Sequence, residues 1–462
     1  MASYSAQAAE WACSVQFDDL PEDVVEASRL RVLDMLGLVL AAVPTPFGQG
    51  MRSTALALSA GAPGVAHILG GGEGVAPLWA AFANGAMAQA LQFDDTHSES
   101  VVHPTSPNLA VALALGEAAG CDGCDLIAAM AVGIELGCRI GVVAPSQFLR
   151  RGMHPTAIMG ALSSTYVAGR MLGLTPEQTA QAVGHAGSFA SGIVECWSDG
   201  TDTQYVHPGW AAHSGIAAAT LAQSGVVGPA AVLEGRYGLF PSHIQDRSVH
   251  FDFERMLSGL GSRWESRRIS FKPYPTAHTV HAFLDALLYL HRYEGLRWES
   301  VKRITVRIAA YMIPLYCEPL AERLRPRTSA QARVSVQYSL AEALYHGRLG
   351  GDGYAEESLR NPDILALAEK VEYAIDPEAP GTERFKGWVV VETKDGRRLE
   401  RIEEHNRGSA ENPMSRDELL DKFYDNAGRC LPVGRADDIV AALECLEDLP
   451  DVGALIDLCC VS

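Results

Sequence analysis

Apolar segments rich in alanine recur through residues 1 to about 265 of the chain. The segment from Val24 to Ala42 is apolar nearly all round, which is typical of a helix buried on every face. Two further segments, Ala80 to Leu91 and Leu109 to Ala119, consist largely of small side chains. Because small side chains let helices approach closely, we expect a compact helical bundle.

Two capping-box patterns predict where later helices begin. In Thr175-Pro-Glu-Gln178 and Ser415-Arg-Asp-Glu418, a hydroxyl precedes an amide or carboxylate by three positions. These side chains can satisfy each other's backbone amides at a helix start. We therefore expect one helix running towards Gly184, and others at Leu419 to Leu431 and Ala436 to Leu446.

The pattern changes near Ser266. Ile269 to Pro275 is predicted to be extended, because each of its prolines disfavours the helical region for the residue before it. Alternating apolar and polar residues predict three strands, at Val301 to Ile308, Gly387 to Thr393 and Arg398 to Ile402. Helical segments are expected between the strands, at Ser329 to Tyr345 and Ile364 to Val371.

These patterns predict a mainly α protein with an inserted α+β domain. We expect residues 1–267 and 404–462 to form one large all-helical bundle domain, and residues 268–403 to form a smaller α/β lid domain. A chain of 462 residues is long enough for two such cores. Clefts between domains commonly bind ligands, so the junction is the expected site.

The net charge of the chain limits the kinds of molecule that it is expected to bind. The chain has 37 basic and 56 acidic residues, a formal net charge of −19, which argues against nucleic acid or an anionic membrane as the main partner. The negative net charge does not exclude a small anionic substrate. Lysine is scarce, and Lys272 is the first in the chain. Any function that needs a lysine side chain must therefore use Lys272 or a lysine that follows it in the chain.

Neither a secretory signal nor an apolar run of the roughly 20 residues that a membrane span needs is apparent, so we expect a cytoplasmic protein. The ten cysteines are scattered, and reduced cysteines are the rule in that compartment. Cys121 and Cys124 have CxxC spacing, but no second pair completes a zinc set, which favours a simple turn.

A dense polar cluster separates the two alanine-rich segments. The stretch from Gln92 to Asn108 contains Asp94, Asp95, His97 and His103. It could be a helix cap with a satisfied histidine. The second histidine and the prolines at positions 104 and 107, which we expect to break the helix and leave a rigid loop, favour a pocket instead.

Three other segments carry comparable groups. His154-Pro-Thr156 repeats the pattern of His103-Pro-Thr105, and His207-Pro208 provides a third His-Pro pair ahead of an alanine-rich helix. Each could be a plain loop. Lys272 lies in an apolar strip, where it could be a surface lysine or an ammonium that pairs with a carboxylate. His213, further along, is expected to serve packing.

Cofactors find little support in the sequence. HExxH and a tight cysteine trio are both missing, and each histidine has a different helical context, so we expect no metal site. A Walker A loop and a Gly-x-Gly-x-x-Gly after a strand are also missing, so nucleotide cofactors are not expected.

Five motifs in this order resemble the MmgE/PrpD family, which includes 2-methylcitrate dehydratase, cis-aconitate decarboxylase and iminodisuccinate epimerase. The motifs are Phe93-Asp-Asp-Thr-His97 with His103-Pro, Gly152-Met-His154-Pro-Thr156, His207-Pro-Gly-Trp-Ala-Ala-His213-Ser-Gly215, Lys272-Pro-Tyr-Pro275, and Arg407-Gly-Ser followed by Glu411-Asn-Pro-Met-Ser415. The resemblance runs from Leu20 to about Phe423. It implies a helical domain built from both chain ends, an α/β lid, a homodimer and a cofactor-independent site.

The resemblance also implies the identity of the site residues. Carried over by position, the catalytic set is Thr96, His103, His154 and Lys272. Two positions depart from the dehydratase and decarboxylase branches, which usually have an acid where Gln92 stands and a lysine where Gln204-Tyr205 stands. An anion-pairing charge and a potential proton carrier are therefore missing, so the family's named activities do not transfer intact.

These activities share chemistry at the carbon next to a carboxylate. We expect His103 or His154 to remove the proton, and the other histidine with Thr96 to protonate the leaving group or return the proton. Lys272 would neutralise a carboxylate. The expected substrate-binding residues are Gln92, Asp95, Gln204, His207 and His278, although Asp94 and Asp95 are more apt to orient an imidazole or cap a helix than to act directly.

Three functions stay open on the sequence. The first is a lyase, a hydro-lyase or decarboxylase, acting on a small polycarboxylate such as a methylcitrate- or aconitate-like acid. The second is an isomerase or epimerase of a dicarboxylate that transfers protons between two bases. The third is a family member that binds without catalysis, motivated by Gln92 and Gln204.

Overall fold

The computed structural model describes residues 2–60 and 64–460. The protein is mainly helical with small sheets, as predicted. Before residue 260 the helices are α1 (Tyr4–Ser14), α2 (Glu22–Ala42), α3 (Pro46–Leu58), α4 (Pro77–Gln89), α5 (Thr105–Ala119), α6 (Gly123–Gly141), α7 (Gln147–Arg150), α8 (Pro155–Met171), α9 (Pro176–Phe189), α10 (Cys196–Asp199), α11 (Thr203–Gln223), α12 (Leu239–Ile244) and α13 (Phe253–Leu257).

Short strands accompany these helices, and a mixed segment follows them. The short strands are β1 (Ala66–His67), β2 (Gly74–Val75), β3 (Thr96–His97) and β4 (Ile269–Ser270). The mixed segment contains helices α14 (His281–Tyr293), α15 (Ile313–Tyr316), α16 (Leu320–Leu324), α17 (Ser329–Arg333), α18 (Val336–His346), α19 (Glu356–Leu359) and α20 (Pro362–Ala368), with strands β5 (Val301–Ile308), β6 (Val371–Ile375), β7 (Gly387–Thr393) and β8 (Arg398–Glu403). The last helices are α21 (Arg416–Ala427), α22 (Val433–Glu444) and α23 (Gly453–Cys459).

Both predicted capping boxes are confirmed. Thr175 accepts from the amide of Gln178, whose side chain accepts from the amide of Thr175, and α9 begins there. Ser415 and Glu418 form the same pair at the start of α21. The ends were predicted less well: α21 stops at Ala427, and the following helix covers Val433–Glu444.

Close helix approach through small residues is clearest between α4 and α11. A Cβ added to Gly209 would lie 2.1 Å from the carbonyl oxygen of Phe82, and one added to Gly85 would lie 3.1 Å from the Cα of Gly209. Side chains at these positions would push the helices apart. The two glycines therefore set the spacing of helices that lie directly behind the candidate site.

Buried apolar side chains of the described residues form two large clusters. The helical core draws on residues from Ala8 to Ile269 and, after a long gap, from Phe423 to Cys459. The sheet core draws on residues from Tyr274 to Val391. The exact domain limits, 1–267 with 404–462 and 268–403, stay a prediction.

The sheet core is built on a sheet with the strand order β6-β5-β7-β8. β5 pairs parallel with β6 and antiparallel with β7, which continues into β8 as the predicted hairpin. The helix expected up to Val371 ends instead at Ala368, because Val371 pairs with Ile304 in the sheet. Local sequence does not contain that long-range pairing.

Three proline and serine positions also differ from expectation. Pro107 lies in the first turn of α5, where a helix needs no amide donor, rather than in a loop. His207-Pro208 lies inside α11 rather than ahead of it. The helix expected over Ser329 to Tyr345 is divided, because the hydroxyl of Ser335 accepts from the amide of Tyr338 and starts α18 anew.

One further pairing joins the two parts of the chain. β3 pairs antiparallel with β4, so that Thr96 lies opposite Ser270. This places the segment before Lys272 beside the polar cluster.

In the described residues, no single helix is long and apolar enough to cross a membrane, although the sharply bent pair α2 and α3 passes that test by length and composition.

Candidate active site

A cavity lies between residues of the helical part and residues of the sheet-core segment. From the helical part it is lined by Gln92, Asp94, Thr96, His103, His154, Trp197 and Gln204, among others. From the other side it is lined by Lys272, His278, Tyr316 and Phe385, among others. Seven of the nine residues predicted for the site therefore line one cavity. Asp95 and His207 do not line the cavity, but Asp95 contacts His103 and His207 contacts His154, which both line it.

The loop before α5 orients His103. Its Nδ1 lies 2.8 Å from the backbone carbonyl oxygen of Asp95 and 3.0 Å from Oγ1 of Thr96. A carbonyl oxygen only accepts, so Nδ1 carries the proton in the neutral ring. The lone pair is therefore on Nε2, which makes that nitrogen the basic one.

Asp94 lies between His103 and Lys272. Its Oδ1 is 3.7 Å from Nδ1 of His103 and 3.8 Å from Nζ of Lys272, and no residue of the described structure donates a hydrogen bond to it. Its other oxygen accepts from the hydroxyl of Ser106 at 2.8 Å. The carboxylate is thus held by α5 while one oxygen stays available beside the base and the ammonium.

Lys272 is a buried cation, not a surface lysine. Its side chain is 2% exposed, and Nζ donates to the backbone carbonyl of Gln92 at 3.1 Å. Burial lowers the pKa of Lys272 to about 8, against the opposing effect of Asp94. The residue is therefore charged at neutral pH and loses its charge readily above it.

His154 lies at the start of α8, with its ring centre 6.1 Å from that of His103. Its Nδ1 lies 3.0 Å from Nδ1 of His207. Burial, with His207 next in size, holds the pKa of His154 well below its usual value, and burial lowers the pKa of His207 to about 4. One ring of this neutral pair must donate to the other.

Burial also lowers the pKa of His103, although Asp94 opposes the shift. On the opposite wall, Nε2 of His278 lies 2.8 Å from the side-chain amide of Asn406, while Nδ1 has no partner among the described residues. Burial holds the pKa of His278 well below its usual value. Both imidazoles are therefore neutral at pH 7. His103 can accept a proton, whereas in His278 the amide of Asn406 already donates to Nε2.

Two glutamines complete the wall next to Trp197. Gln92 has a left-handed backbone, with φ of 50°, and its Nε2 lies 3.4 Å from Oε1 of Gln204. The same oxygen of Gln204 accepts from the indole Nε1 of Trp197. Gln92 and Gln204, the two positions at which the sequence departs from the dehydratase and decarboxylase branches, therefore lie together and form one neutral pair.

Asp95 corrects an expectation. Its carboxylate turns away from the cavity, accepting from the hydroxyl of Thr105 at 2.6 Å and lying 3.4 Å from Nε of Arg31. Burial raises the pKa of Asp95 to about 6, with Arg31 opposing. Its carboxylate holds the loop, whereas its backbone carbonyl orients His103. The position of Asp95 therefore fits the expectation that it orients an imidazole better than the expectation that it binds substrate.

Sequence reasoning missed several contributors. Trp197, Tyr316 and Phe385 line the cavity but stand in stretches without any motif. Lys422, in α21, reaches Asp34 at 2.7 Å and donates to the carbonyl of Phe93 at 2.9 Å. Only the scarcity of lysine could have drawn attention to it. His213, as expected, packs, stacking on Trp210.

The arrangement suits proton transfer beside an anion. It combines neutral imidazoles, one carboxylate and one ammonium around one cavity, and of these groups only His103 is partly exposed. Among the described residues, no group of three or more histidine, cysteine, aspartate or glutamate side chains could hold a metal ion.

Two family models match the chain. The MmgE/PrpD N-terminal domain matches residues 6–252, and the MmgE/PrpD C-terminal domain matches residues 274–448. The chain belongs to the MmgE/PrpD family. This agrees with the resemblance indicated by the five motifs.

Relatives within the MmgE/PrpD family are named as two kinds of enzyme. The chain is 29% identical to a cis-aconitate decarboxylase of Aspergillus terreus over 98% of its own length and 95% of the relative's. It is 28% identical to a human cis-aconitate decarboxylase over 83% of this chain and 79% of the relative. It is 25% identical to a 2-methylcitrate dehydratase of Cupriavidus necator over 90% and 88%.

Proposed function

We propose that this protein is a cofactor-independent lyase that moves protons next to a carboxylate of a small polycarboxylic acid. Its similarity over nearly the whole chain to decarboxylases and dehydratases of such acids supports the reaction class. In this proposal the segment 268–403 acts as a lid on a helical body formed by 1–267 and 404–462.

The observation that carries the proposal is the placement of two neutral imidazoles on the same cavity as one ammonium. The ring centres of His103 and His154 are 6.1 Å apart, and Lys272 lines the same space. A base with a lowered pKa can accept a carbon-bound proton, and a fixed cation can stabilise charge that develops on the neighbouring carboxyl group.

Each side chain then has a role. Lys272 holds the carboxylate next to the reacting carbon. In a dehydration, Nε2 of one imidazole takes the proton from that carbon, the electron pair forms the new double bond, and the hydroxyl leaves as water. The other imidazole first takes a proton from solvent and then, helped by Thr96, gives it to the leaving hydroxyl.

In a decarboxylation the same groups act in a different order. The C–CO2 bond of an unsaturated acid breaks, and its electron pair shifts into a new double bond. The pair of the former double bond then takes a proton from an imidazole that solvent has protonated beforehand. Solvent returns a proton to that imidazole after CO2 leaves. Asp94, 3.7 Å from His103, would stabilise the imidazolium form.

An epimerase of a dicarboxylate is the second candidate. Two imidazoles on one cavity also suit removal of a proton from one face of a carbon and its return to the other. In this case neither a carbon–oxygen bond nor the bond between carbon and CO2 breaks. The reaction would leave the substrate's composition unchanged.

One experiment separates these reactions. The protein is incubated in heavy water with a panel of hydroxy, unsaturated and amino or imino polycarboxylates, and the acids are followed by NMR. A new alkene signal or released CO2 supports the lyase, whereas deuterium at the carbon next to a carboxyl group without net product supports the epimerase. Binding without any exchange or product would contradict both.

A further inference from the structure

The ionisable side chains lining the described cavity carry almost no net charge at neutral pH. Asp94 and Lys272 are 3.8 Å apart and compensate each other. His103, His154 and His278 are neutral there, because burial lowers the pKa of each. An incoming anion therefore meets one ammonium, which already has a carboxylate neighbour.

Buried cations behind the cavity wall are already engaged. Arg31 lies 3.4 Å from the carboxylate of Asp95, and Lys422 lies 2.7 Å from that of Asp34. Arg333 donates to two backbone carbonyls, at 2.7 and 2.5 Å, and does not line the cavity. These groups hold the loops. They contribute positive potential, but none of the three lines the cavity where a second or third carboxylate would bind.

Trp197 determines which way the two neutral amides point. An indole nitrogen only donates, so the Gln204 atom that it contacts must be the oxygen. The Gln92 atom that faces the same oxygen at 3.4 Å must then be its nitrogen. The nitrogen of Gln204 and the oxygen of Gln92 remain without a hydrogen-bond partner among the described side chains. They are one donor and one acceptor on two residues that line the same cavity.

We infer that the wall formed by Gln92, Trp197 and Gln204 binds an uncharged polar arm of the substrate, a carboxamide or a hydroxyl group. The substrate is then a dicarboxylate, or the half-amide of one, rather than a tricarboxylate, because further carboxylates would be buried without a cation. A carboxamide fits best, since it offers a donor and an acceptor to an acceptor and a donor. This inference rests on the proposed function and narrows its substrate class.

A series of cis-unsaturated acids tests the charge requirement. Maleamate, maleate and cis-aconitate share that geometry and carry about one, two and three negative charges at pH 7. Their dissociation constants are measured by titration calorimetry with the full-length protein. We expect maleamate to bind at least tenfold more tightly than cis-aconitate.

Two variants test the wall itself. Gln204→Lys adds a cation, and we expect it to shift the affinity ratio at least tenfold towards cis-aconitate. Gln204→Met removes the amide without adding charge, and should weaken maleamate more than maleate. Gln223→Lys, at the exposed end of the same helix, controls for the general effect of one added charge. Circular dichroism checks that each variant is folded.

The outcomes are distinct. If cis-aconitate binds the unaltered protein as tightly as maleamate, or if Gln204→Lys leaves the ratio unchanged, this inference is overturned while the proposed function stands. If none of the three acids binds, this inference is overturned as well. The heavy-water experiment then shows independently whether proton transfer occurs at all.

Discussion

The backbone amide of His103 donates a hydrogen bond of 3.0 Å to the hydroxyl of Thr156. The two His-Pro-Thr copies in the sequence are therefore connected, since the threonine of the second holds the histidine of the first. The threonine of the first copy, Thr105, instead binds the carboxylate of Asp95. This connection brings His103 and His154 to neighbouring positions on one wall.

Removing either imidazole should abolish most of the activity. We expect His103→Ala and His154→Ala each to lower kcat by a factor of about 10² or more, because each removes a proton acceptor or donor from the reacting carbon. Steady-state assays on the substrate found in the heavy-water screen measure this. His250→Ala, at an exposed position, is the control. Unchanged kcat in both variants would remove these assignments.

His207 should tune His154 rather than touch the substrate. His207→Phe removes the partner of Nδ1 and one of the influences that lower the pKa of His154. That pKa should rise, so the acidic limb of the rate profile should move to higher pH, and kcat should fall more than KM changes. His213→Phe, in the same helix and stacked on Trp210, is the matched control. A pH profile that does not move would show a merely structural role.

Binding of anions should weaken as pH rises through about 8. Lys272 has a pKa of about 8, below its ordinary value because of burial, so its ammonium is present below that pH and lost above it. The affinity for a carboxylate ligand should therefore be constant from pH 6 to 7 and fall beyond 8. Titrations across this range measure it. Lys272→Met should bind weakly and without that pH dependence; an equal dependence in the variant would point to another group.

The buried pair Lys422 and Asp34 should stabilise the fold. Lys422→Met leaves a buried carboxylate without its cation, which typically costs about 3–5 kcal/mol. Urea unfolding followed by circular dichroism should show an earlier transition. Lys302→Met, at an exposed strand position, should change little. The double variant Lys422→Met with Asp34→Asn should recover part of the loss, and a failure to do so would mean that the pair's charges are not the reason.

Much of the secondary structure was predictable because its signals are local. Strand β5 covers the predicted residues, and the capping boxes at Thr175 and Ser415 start helices as expected. β6 was missed, since its residues form a strand only by pairing with β5. The break at Ser335 was missed for a similar reason: a serine in an otherwise helical pattern can cap a new helix or simply continue the old one.

The sequence by itself determined which residues could do the chemistry. Imidazoles, hydroxyls and a rare lysine stand in short motifs, and their chemical character does not depend on the fold. Only the tertiary structure decided how each is used. It turned the carboxylate of Asp95 towards Arg31, inserted Lys422 from the far end of the chain, and oriented Gln204 through Trp197. The physical reason is that hydrogen bonds and burial depend on which groups meet in space, and most of these partners are distant along the chain.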